Sequence, residues 1–237
     1  MIDSAALRAR LDGVRERIAR AAGRAGRDPA AIRLVAVSKT FPADYVRAAA
    51  EAGQLHFGEN KVQEALGKMR ATSDLALAWH LVGHLQSNKA RKAAAHFDVI
   101  HSVDDSALVA KLEAAATAAS RRLELLVQVD LTGEPTKRGV LPEHVTAVLA
   151  ATHGSSAVRL TGLMLLPPAV ADPEASRPHF AALRRLRDDL VAHGQDASTL
   201  AQLSMGMSHD FEVAIEEGAT MVRVGTAIFG PRVPTSD

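Results

Sequence analysis

The sequence contains no cysteine, which excludes a disulfide framework, a thiolate nucleophile and a thiolate metal site. An excess of charge of one sign is also missing. The 28 basic and 27 acidic residues leave a formal net charge of +1, so strong binding to nucleic acid or to an anionic membrane is not expected. Apolar runs stay short of the ~20 residues that span a bilayer. The arginine-rich N-terminus shows no apolar core with a cleavage site, so we predict a cytoplasmic protein without a secretory signal.

Hydrophobic residues make up 47% of the 237 residues and are arranged in short runs. Apolar runs alternate with helical patterns, and several runs are apolar on both faces, as parallel strands covered by helices are. The runs predict strands at 32–38, 55–57, 79–82, 99–102, 123–130, 159–165, 200–204 and 221–224. An extra amphipathic helix precedes them at 4–22. The pattern favours a (β/α)8 TIM barrel over a doubly wound open sheet. We predict one domain over residues 1–237, with the barrel at about 30–230.

Lys39 ends the first predicted strand. The bland interpretation is a solvated side chain at the rim of the barrel, which is the ordinary environment of a lysine. In barrels of this kind, however, functional residues lie at the C-terminal ends of the strands. A partly desolvated lysine there has a neutral fraction that can form a Schiff base with an aldehyde or a ketone.

Two glycine-containing segments near the other end of the chain could hold a phosphate. In the segment 204–208, Ser204 and Ser208 offer hydroxyls and a glycine permits a tight turn before a helix. The simpler interpretation of this segment is a helix capped by Ser208. Gly225 and Thr226 follow the last predicted strand, where barrels often bind phosphate beside a short helix. An amine at one strand end and a phosphate site at another together indicate pyridoxal 5′-phosphate (PLP).

Arg223 and Asn60 are further candidates. Arg223 lies two residues before Gly225, on the same face of the predicted strand, so its guanidinium could point into the mouth of the barrel. A structural ion pair is an equal alternative for this arginine. Asn60 could cap a helix that starts at Lys61, or it could contact a cofactor ring.

Two histidines and one charged loop complete the candidates. His80 and His84 are four residues apart, but they flank a strand and a glycine turn rather than one helix face. We therefore predict structural hydrogen bonds for them and no metal site. The loop 130–139 is predicted as a solvated loop, with a mobile charged flap over the site as the functional alternative.

Seven ordered motifs resemble the pyridoxal phosphate homeostasis protein family. They are AVSKT (36–40), FGEN (57–60), WH (79–80), GHLQSNK (83–89), GLM (162–164), SMGMS (204–208) and RVGTAIFG (223–230). The similarity runs from about residue 4 to Gly230. The resemblance implies a fold-type III PLP barrel like the N-terminal domain of bacterial alanine racemase. It also implies that Ser204, Gly225 and Thr226 bind the phosphate, helped by the backbone around Met205.

The same resemblance implies that Lys39 is the internal aldimine lysine, that Arg223 faces the pyridine nitrogen and that Asn60 lies near the ring. The expected function is to carry and buffer PLP for vitamin B6 homeostasis and to release it to apo-enzymes, without robust turnover. An always-protonated arginine weakens the ring as an electron sink. The single tyrosine, Tyr45, lies early in the first barrel helix, whereas alanine racemases use a tyrosine from a further domain. An amino-acid racemase is the alternative, a Schiff-base aldolase ranks third, and a monomer is expected.

Overall fold

The computed structural model of the chain describes residues 2–133 and 138–231. Eight parallel strands close into a barrel in sequence order, with the last strand paired to the first. The strands are β1 (Arg33–Val37), β2 (His56–Glu59), β3 (Ala78–Leu81), β4 (Val99–Val103), β5 (Leu123–Val129), β6 (Val158–Leu165), β7 (Gln202–Ser204) and β8 (Met221–Val224). The predicted (β/α)8 barrel is confirmed. The open sheet is excluded because β1 and β8 are paired over four residues.

Helices surround the barrel, and one more lies before it in the sequence. They are α1 (Ser4–Arg24), α2 (Ala43–Glu51), α3 (Val62–Ala71), α4 (Ala90–His96), α5 (Ser106–Ala118), α6 (Val145–Ala150), α7 (Arg177–Ala192), α8 (Phe211–Glu216) and α9 (Thr226–Phe229). The apolar sides of helices and strands form one large core between the two layers. A smaller apolar cluster of Val99, Leu126, Met164 and Met221 is separate from it. Within the described ranges, no helix is both long and apolar enough to cross a membrane.

Helix α1 covers the region where the first and last strands meet. The Asp3 carboxylate caps its N-terminus by accepting a hydrogen bond from the Ala6 N–H at 2.9 Å. Its apolar stripe is buried, as the sequence predicts, and packs against α2, α8 and α9. Arg10 Nε donates to the carbonyl oxygen of Ile228 at 2.7 Å, and Arg17 Nη2 lies 2.8 Å from the Glu212 carboxylate. The helix therefore links the N-terminal and C-terminal parts of the chain on the outside of the barrel.

Several predicted strand and helix ends are wrong by one or two residues, and two of the proposed helix caps are not formed. Strand β2 runs to Glu59 instead of ending at Phe57, because its backbone stays paired with β3 as far as Leu81. Helix α3 begins at Val62, so Asn60 does not cap a helix starting at Lys61. Helix α8 begins at Phe211 without a side-chain cap, so Ser208 does not cap it either.

A buried ion-pair cluster holds the end of β1. Lys68 Nζ lies 2.7 Å from Glu59 Oε1 and 2.8 Å from Glu64 Oε1, and it donates to the carbonyl oxygen of Ser38 at 2.7 Å. The Ser38 hydroxyl donates to Glu59 Oε1 at 2.6 Å. The cluster connects β1, β2 and α3 through charge-assisted hydrogen bonds, which are stronger than neutral ones.

The same cluster holds the residue after Lys39. The Thr40 N–H donates to Glu64 Oε1 at 2.6 Å. Thr40 has a φ of 71°, in the left-handed region that threonine rarely adopts, so this turn depends on the contacts around it. Because Ser38 and Thr40 are both bound to the cluster, the backbone of Lys39 is fixed from both sides.

Burial and hydrogen bonding have opposite effects on the pKa values of Glu59 and Glu64. Burial raises the pKa of Glu59, although Lys68 and Ser38 act in the opposite direction. Glu59 Oε2 is buried without a hydrogen-bond partner among the described residues. Burial also acts to raise the pKa of Glu64, but hydrogen bonds from Lys68 and from the Thr40 N–H outweigh it and lower the pKa.

Replacing the buried ammonium should destabilise the protein in a pH-dependent way. Lys68→Met leaves the Glu59 carboxylate buried without a cation, which should reduce the free energy of unfolding by about 3–5 kcal/mol at pH 7. The raised pKa of Glu59 means that the folded state retains its proton to higher pH than the unfolded state does. Because Lys68 acts to lower this pKa, its removal should raise the pKa further, and the deficit should grow as the pH rises from the folded-state pKa of the wild type to that of the variant. Denaturant unfolding at several pH values measures it.

The matched control for this prediction is Lys61→Met, at an exposed position next to α3. It should change the free energy of unfolding by no more than about 0.5 kcal/mol. A Lys68→Met deficit that is equal at pH 5 and pH 8 would contradict the assigned role of Glu59.

Two glycine substitutions should have opposite effects on stability. A Cβ atom on Gly162 in β6 would clash with the carbonyl oxygen of Gln202 in β7 and lie 2.6 Å from its carbonyl carbon. Gly162→Ala should therefore cost about 3 kcal/mol or more. Gly67, exposed in α3, has no neighbour within 4 Å of such an atom, so Gly67→Ala should stabilise by about 0.5–1 kcal/mol. Thermal unfolding compares the two, and a Gly162→Ala protein as stable as the wild type would refute the tight contact between β6 and β7.

Candidate functional site

A cavity of about 580 Å³ lies at the C-terminal ends of the strands. This volume is within the range of small-molecule sites in proteins, and the location is where barrels place their functional residues. The structure brings five of the seven predicted site residues to its wall: Lys39, Asn60, Arg223, Gly225 and Thr226. They come from β1, β2 and β8 or from the turns that follow these strands.

The pairing of β1 with β8 places Lys39 beside the glycine turn. In the parallel register, Val35 lies opposite Arg223, so the two strands end side by side. A Cβ atom on Gly225 would lie 3.1 Å from the carbonyl oxygen of Val37, a contact tighter than most side chains make. Glycine at this position allows the turn after β8 to lie directly against the end of β1.

The structure does not bring Ser204 and Met205 to the cavity wall, although both are predicted to be site residues. Both are fully buried. The Ser204 hydroxyl lies inside the barrel, where it accepts a hydrogen bond from Arg223 Nη1 at 2.6 Å and lies 2.8 Å from His101 Nδ1. Ser204 thus contacts Arg223 in the cavity wall without lining the cavity itself. Met205 is part of the hydrophobic core.

Ser208 lines the cavity instead and joins the two glycine segments. Its Oγ accepts hydrogen bonds from the N–H groups of Gly225, at 3.1 Å, and Ala227, at 3.4 Å. Gly206 has a φ of 89°, and a Cβ atom there would lie 2.9 Å from the Cα of Phe211, so glycine is required for this turn. The sequence offers the Ser208 hydroxyl as a candidate, but only the fold shows that it faces the second segment.

Arg223 forms a fixed cation in the wall of the cavity. Its side chain is buried and donates to Ser204 Oγ and, at 2.8 Å through Nη2, to the carbonyl oxygen of Leu165. Burial lowers the pKa of Arg223 to about 10, with the charge of Asp210 acting in the opposite direction. The guanidinium therefore remains protonated at neutral pH. Both hydrogen-bond partners of Arg223 among the described residues are uncharged oxygens, so the alternative of a structural ion pair is wrong there.

The backbone segments that follow β2 and β3 pack directly against each other at the cavity. A Cβ atom on Gly83 would lie 2.7 Å from the Cα of Asn60, so the backbone of Asn60 crosses directly above this glycine. His84 lies on the same wall, with its Nδ1 3.6 Å from the Asp104 carboxylate. The predicted hydrogen bonding of His80 is confirmed, since its ring contacts two other histidine rings inside the barrel.

Both described ends of the loop 130–139 line the cavity, at Asp130 and Arg138. Asp130 Oδ1 accepts a hydrogen bond from the Thr132 N–H at 2.9 Å, and Gln128 Nε2 donates to the carbonyl oxygen of Arg138 at 2.7 Å. Residues 134–137 lie outside the described residues, so the hypothesis of a charged flap stays a prediction there.

Comparisons with known proteins agree with this geometry. Residues 2–233 match the family model "Alanine racemase, N-terminal domain". The pyridoxal phosphate homeostasis protein of Aquifex aeolicus (strain VF5) is 44% identical over 223 residues, covering 94% of this chain and 97% of the relative. The protein of the same name from Pseudomonas aeruginosa is 48% identical over 219 residues, covering 92% of this chain and 93% of the relative.

Solved structures show the same fold. The structure of PipY from Synechococcus elongatus PCC7942 with PLP bound superimposes with a TM-score of 0.83 at 40% sequence identity. The match covers 94% of this chain and 100% of the PipY chain. The predicted family resemblance is confirmed: the chain belongs to the alanine racemase N-terminal domain family and, within it, to the pyridoxal phosphate homeostasis proteins.

Proposed function

We propose that this protein binds PLP through Lys39 and buffers the cofactor for other enzymes, as one domain that extends over residues 1–237. The observation that carries the proposal is the presence of Lys39, Arg223 and the turn at Gly225 in one cavity. PipY, a relative at 40% identity, has PLP bound in its solved structure. The names of the curated relatives also support a role in PLP homeostasis.

The residues present fit PLP at both of its ends. The hydroxyls of Ser208 and Thr226 would hold the phosphate. Ser208 Oγ accepts from the N–H groups of Gly225 and Ala227, which leaves its own O–H to donate to the phosphate. Arg223 uses two of the five N–H donors of a guanidinium for Ser204 and Leu165, so further donors remain for the ring nitrogen. Asn60 lies on the wall beside the ring position.

Lys39 would hold the aldehyde end of the cofactor. PLP, when bound, supplies an aldehyde that condenses reversibly with a primary amine. The chain contributes an amine at a fixed strand end, because Ser38 and Thr40 on either side are bound to the buried ion-pair cluster of Lys68, Glu59 and Glu64, the Lys68 cluster. The neutral amine is the form that condenses with an aldehyde.

The residues of this cavity favour a carrier over a racemase. Arg223 stays protonated, so it does not transfer a proton to the ring nitrogen, and a neutral ring stabilises a carbanion poorly. Alanine racemases share this arginine, so the position of the tyrosine is what separates the two functions. Tyr45 does not line the cavity in the described structure. Its ring instead packs 5.0 Å from Phe41 and 6.4 Å from Phe229, measured between centroids. This tyrosine is therefore not placed as a catalytic base.

Release of the cofactor would take place through the open mouth of the barrel. Leu166 and Met207 line the cavity and are 39% and 38% exposed, so apolar side chains lie open to solvent at its mouth. We propose that a monomer in the cytoplasm captures free PLP here and yields it to apo-enzymes. Capture would lower the concentration of free aldehyde that can react with other amines.

Lys39→Ala should abolish covalent capture of PLP without unfolding the barrel. Wild-type protein mixed with PLP should show a visible absorbance that hydroxylamine removes, and borohydride should fix the cofactor on the peptide that contains Lys39. Lys92→Ala, at an exposed lysine on α4, is the control and should behave like the wild type. Borohydride labelling of a different lysine in the wild type, or absorbance that survives in Lys39→Ala, would refute the assignment.

The PLP-loaded protein should leave L-alanine and L-serine unchanged in configuration. Chiral chromatography after prolonged incubation measures this, with an authentic alanine racemase as the positive control. Multiple turnovers per molecule of protein would favour the racemase over the carrier.

A further inference from the structure

Three histidine rings form a continuous hydrogen-bonded row through the interior of the barrel. His56 Nδ1 lies 3.1 Å from His80 Nε2, and His80 Nδ1 lies 2.8 Å from His101 Nε2. His101 Nδ1 lies 2.8 Å from Ser204 Oγ, which accepts from Arg223 Nη1 at 2.6 Å. The histidine row, defined as His56, His80 and His101, thus ends at the cation of the cavity.

The row crosses the barrel from one face to the other. His56 is half-buried and lines a groove with Arg33 and Gln202, at the ends where β1 and β7 begin. His80 and His101 are fully buried. In the part of the chain that the structure describes, no group of histidine and acidic side chains converges on a metal position. The ring nitrogens bind one another instead.

Arg223 determines the direction of every hydrogen bond in the row. A guanidinium only donates, so Ser204 Oγ accepts from it and has one O–H to give. Among the described residues, the hydrogen-bond partners of the Ser204 hydroxyl are Arg223 and His101, so its O–H must go to His101 Nδ1. The reverse direction would point two N–H groups at Ser204 Oγ and leave its own hydrogen buried without an acceptor, which is costly.

The protons of the three rings follow from this. With Nδ1 as the acceptor, His101 carries its proton on Nε2 and donates to His80 Nδ1. By the same reasoning, His80 donates from Nε2 to His56 Nδ1. Burial lowers the pKa of His80 and of His101 well below the usual range, and Arg223 adds to this effect at His101. Neutral rings with one proton each are consistent with this direction.

We propose that His56, His80 and His101 are positioning residues that form a proton-ordered row, which keeps the Ser204 hydroxyl turned so that it accepts from Arg223. The row thereby fixes the guanidinium in the cavity wall. The proton order is a property of the protein alone. Its consequence for the cofactor rests on the proposed function.

The proton order can be measured directly in the wild-type protein without added PLP. With ¹⁵N-labelled histidine, long-range ¹H–¹⁵N correlation should show protonated Nε2 and unprotonated Nδ1 in all three rings at neutral pH. Scalar coupling across the N–H···N bonds should join His101 Nε2 to His80 Nδ1, and His80 Nε2 to His56 Nδ1. Single histidine variants assign the signals. A cationic ring, or a proton on Nδ1 of any of the three, would overturn the proposal.

The positioning effect is tested by PLP affinity in a matched pair of variants. In His101→Asn, the amide oxygen can take the place of Nδ1 and accept from Ser204, whereas His101→Leu removes the acceptor. We expect His101→Leu to weaken PLP binding about tenfold and His101→Asn about twofold. Thr161→Val, which removes a buried hydroxyl elsewhere in the barrel, is the control and should bind like the wild type.

Equal weakening in His101→Asn and His101→Leu would show a merely structural role and overturn the positioning claim. If His101→Leu does not fold, the wild-type tautomers and couplings still decide the proton order. A wild-type protein that fails to bind PLP would refute the proposed function, while the measurement of the proton order would remain valid. The two failures are therefore distinguishable.

Discussion

The pairing of β8 with β1 is the contact on which the site depends. It closes the barrel and brings together two segments that are far apart in the sequence, one carrying Lys39 and the other carrying Arg223 and Gly225. A shift of one residue in this register would turn Arg223 out of the barrel interior, because neighbouring residues of a strand point to opposite faces. The close approach of Gly225 to Val37 makes the register specific.

Polar groups inside the barrel give the site its fixed geometry. The Lys68 cluster holds the backbone on either side of Lys39, and the histidine row reaches Arg223 through Ser204. Buried polar groups are costly unless they are hydrogen-bonded, so a row in which both ring nitrogens of the buried His80 and His101 have defined partners favours a single arrangement. Glu59 Oε2 is the exception within the described residues. The interior is thus organised by hydrogen-bond direction as well as by packing.

The sequence predicts the barrel well because its evidence is local and repeated. Apolar runs at strand length, separated by helical periodicity, recur along the chain and favour a barrel, whereas its closure is shown only by the pairing of β1 with β8. The ends of strands are harder to predict from the sequence. A charged residue such as Glu59 usually indicates a loop, and only the structure shows that Lys68 neutralises its carboxylate inside the protein. Part of the site can be predicted from the same local pattern, because Lys39 and Gly225 directly follow apolar runs. That Ser208 faces the cavity while Ser204 lies beneath it depends on side-chain direction in three dimensions.

Helix α1 has a consequence for the order of folding. Its contacts with α8 and α9 are among the longest in sequence, with separations of 195 residues for Arg17 and Glu212 and 218 residues for Arg10 and Ile228. During synthesis, the apolar side of α1 therefore remains without its native partners α8 and α9 until those helices have emerged. Contacts of such separation slow folding, because the entropy of a long loop is lost before they form. A chaperone that shields apolar helices would accordingly find this segment accessible for most of translation.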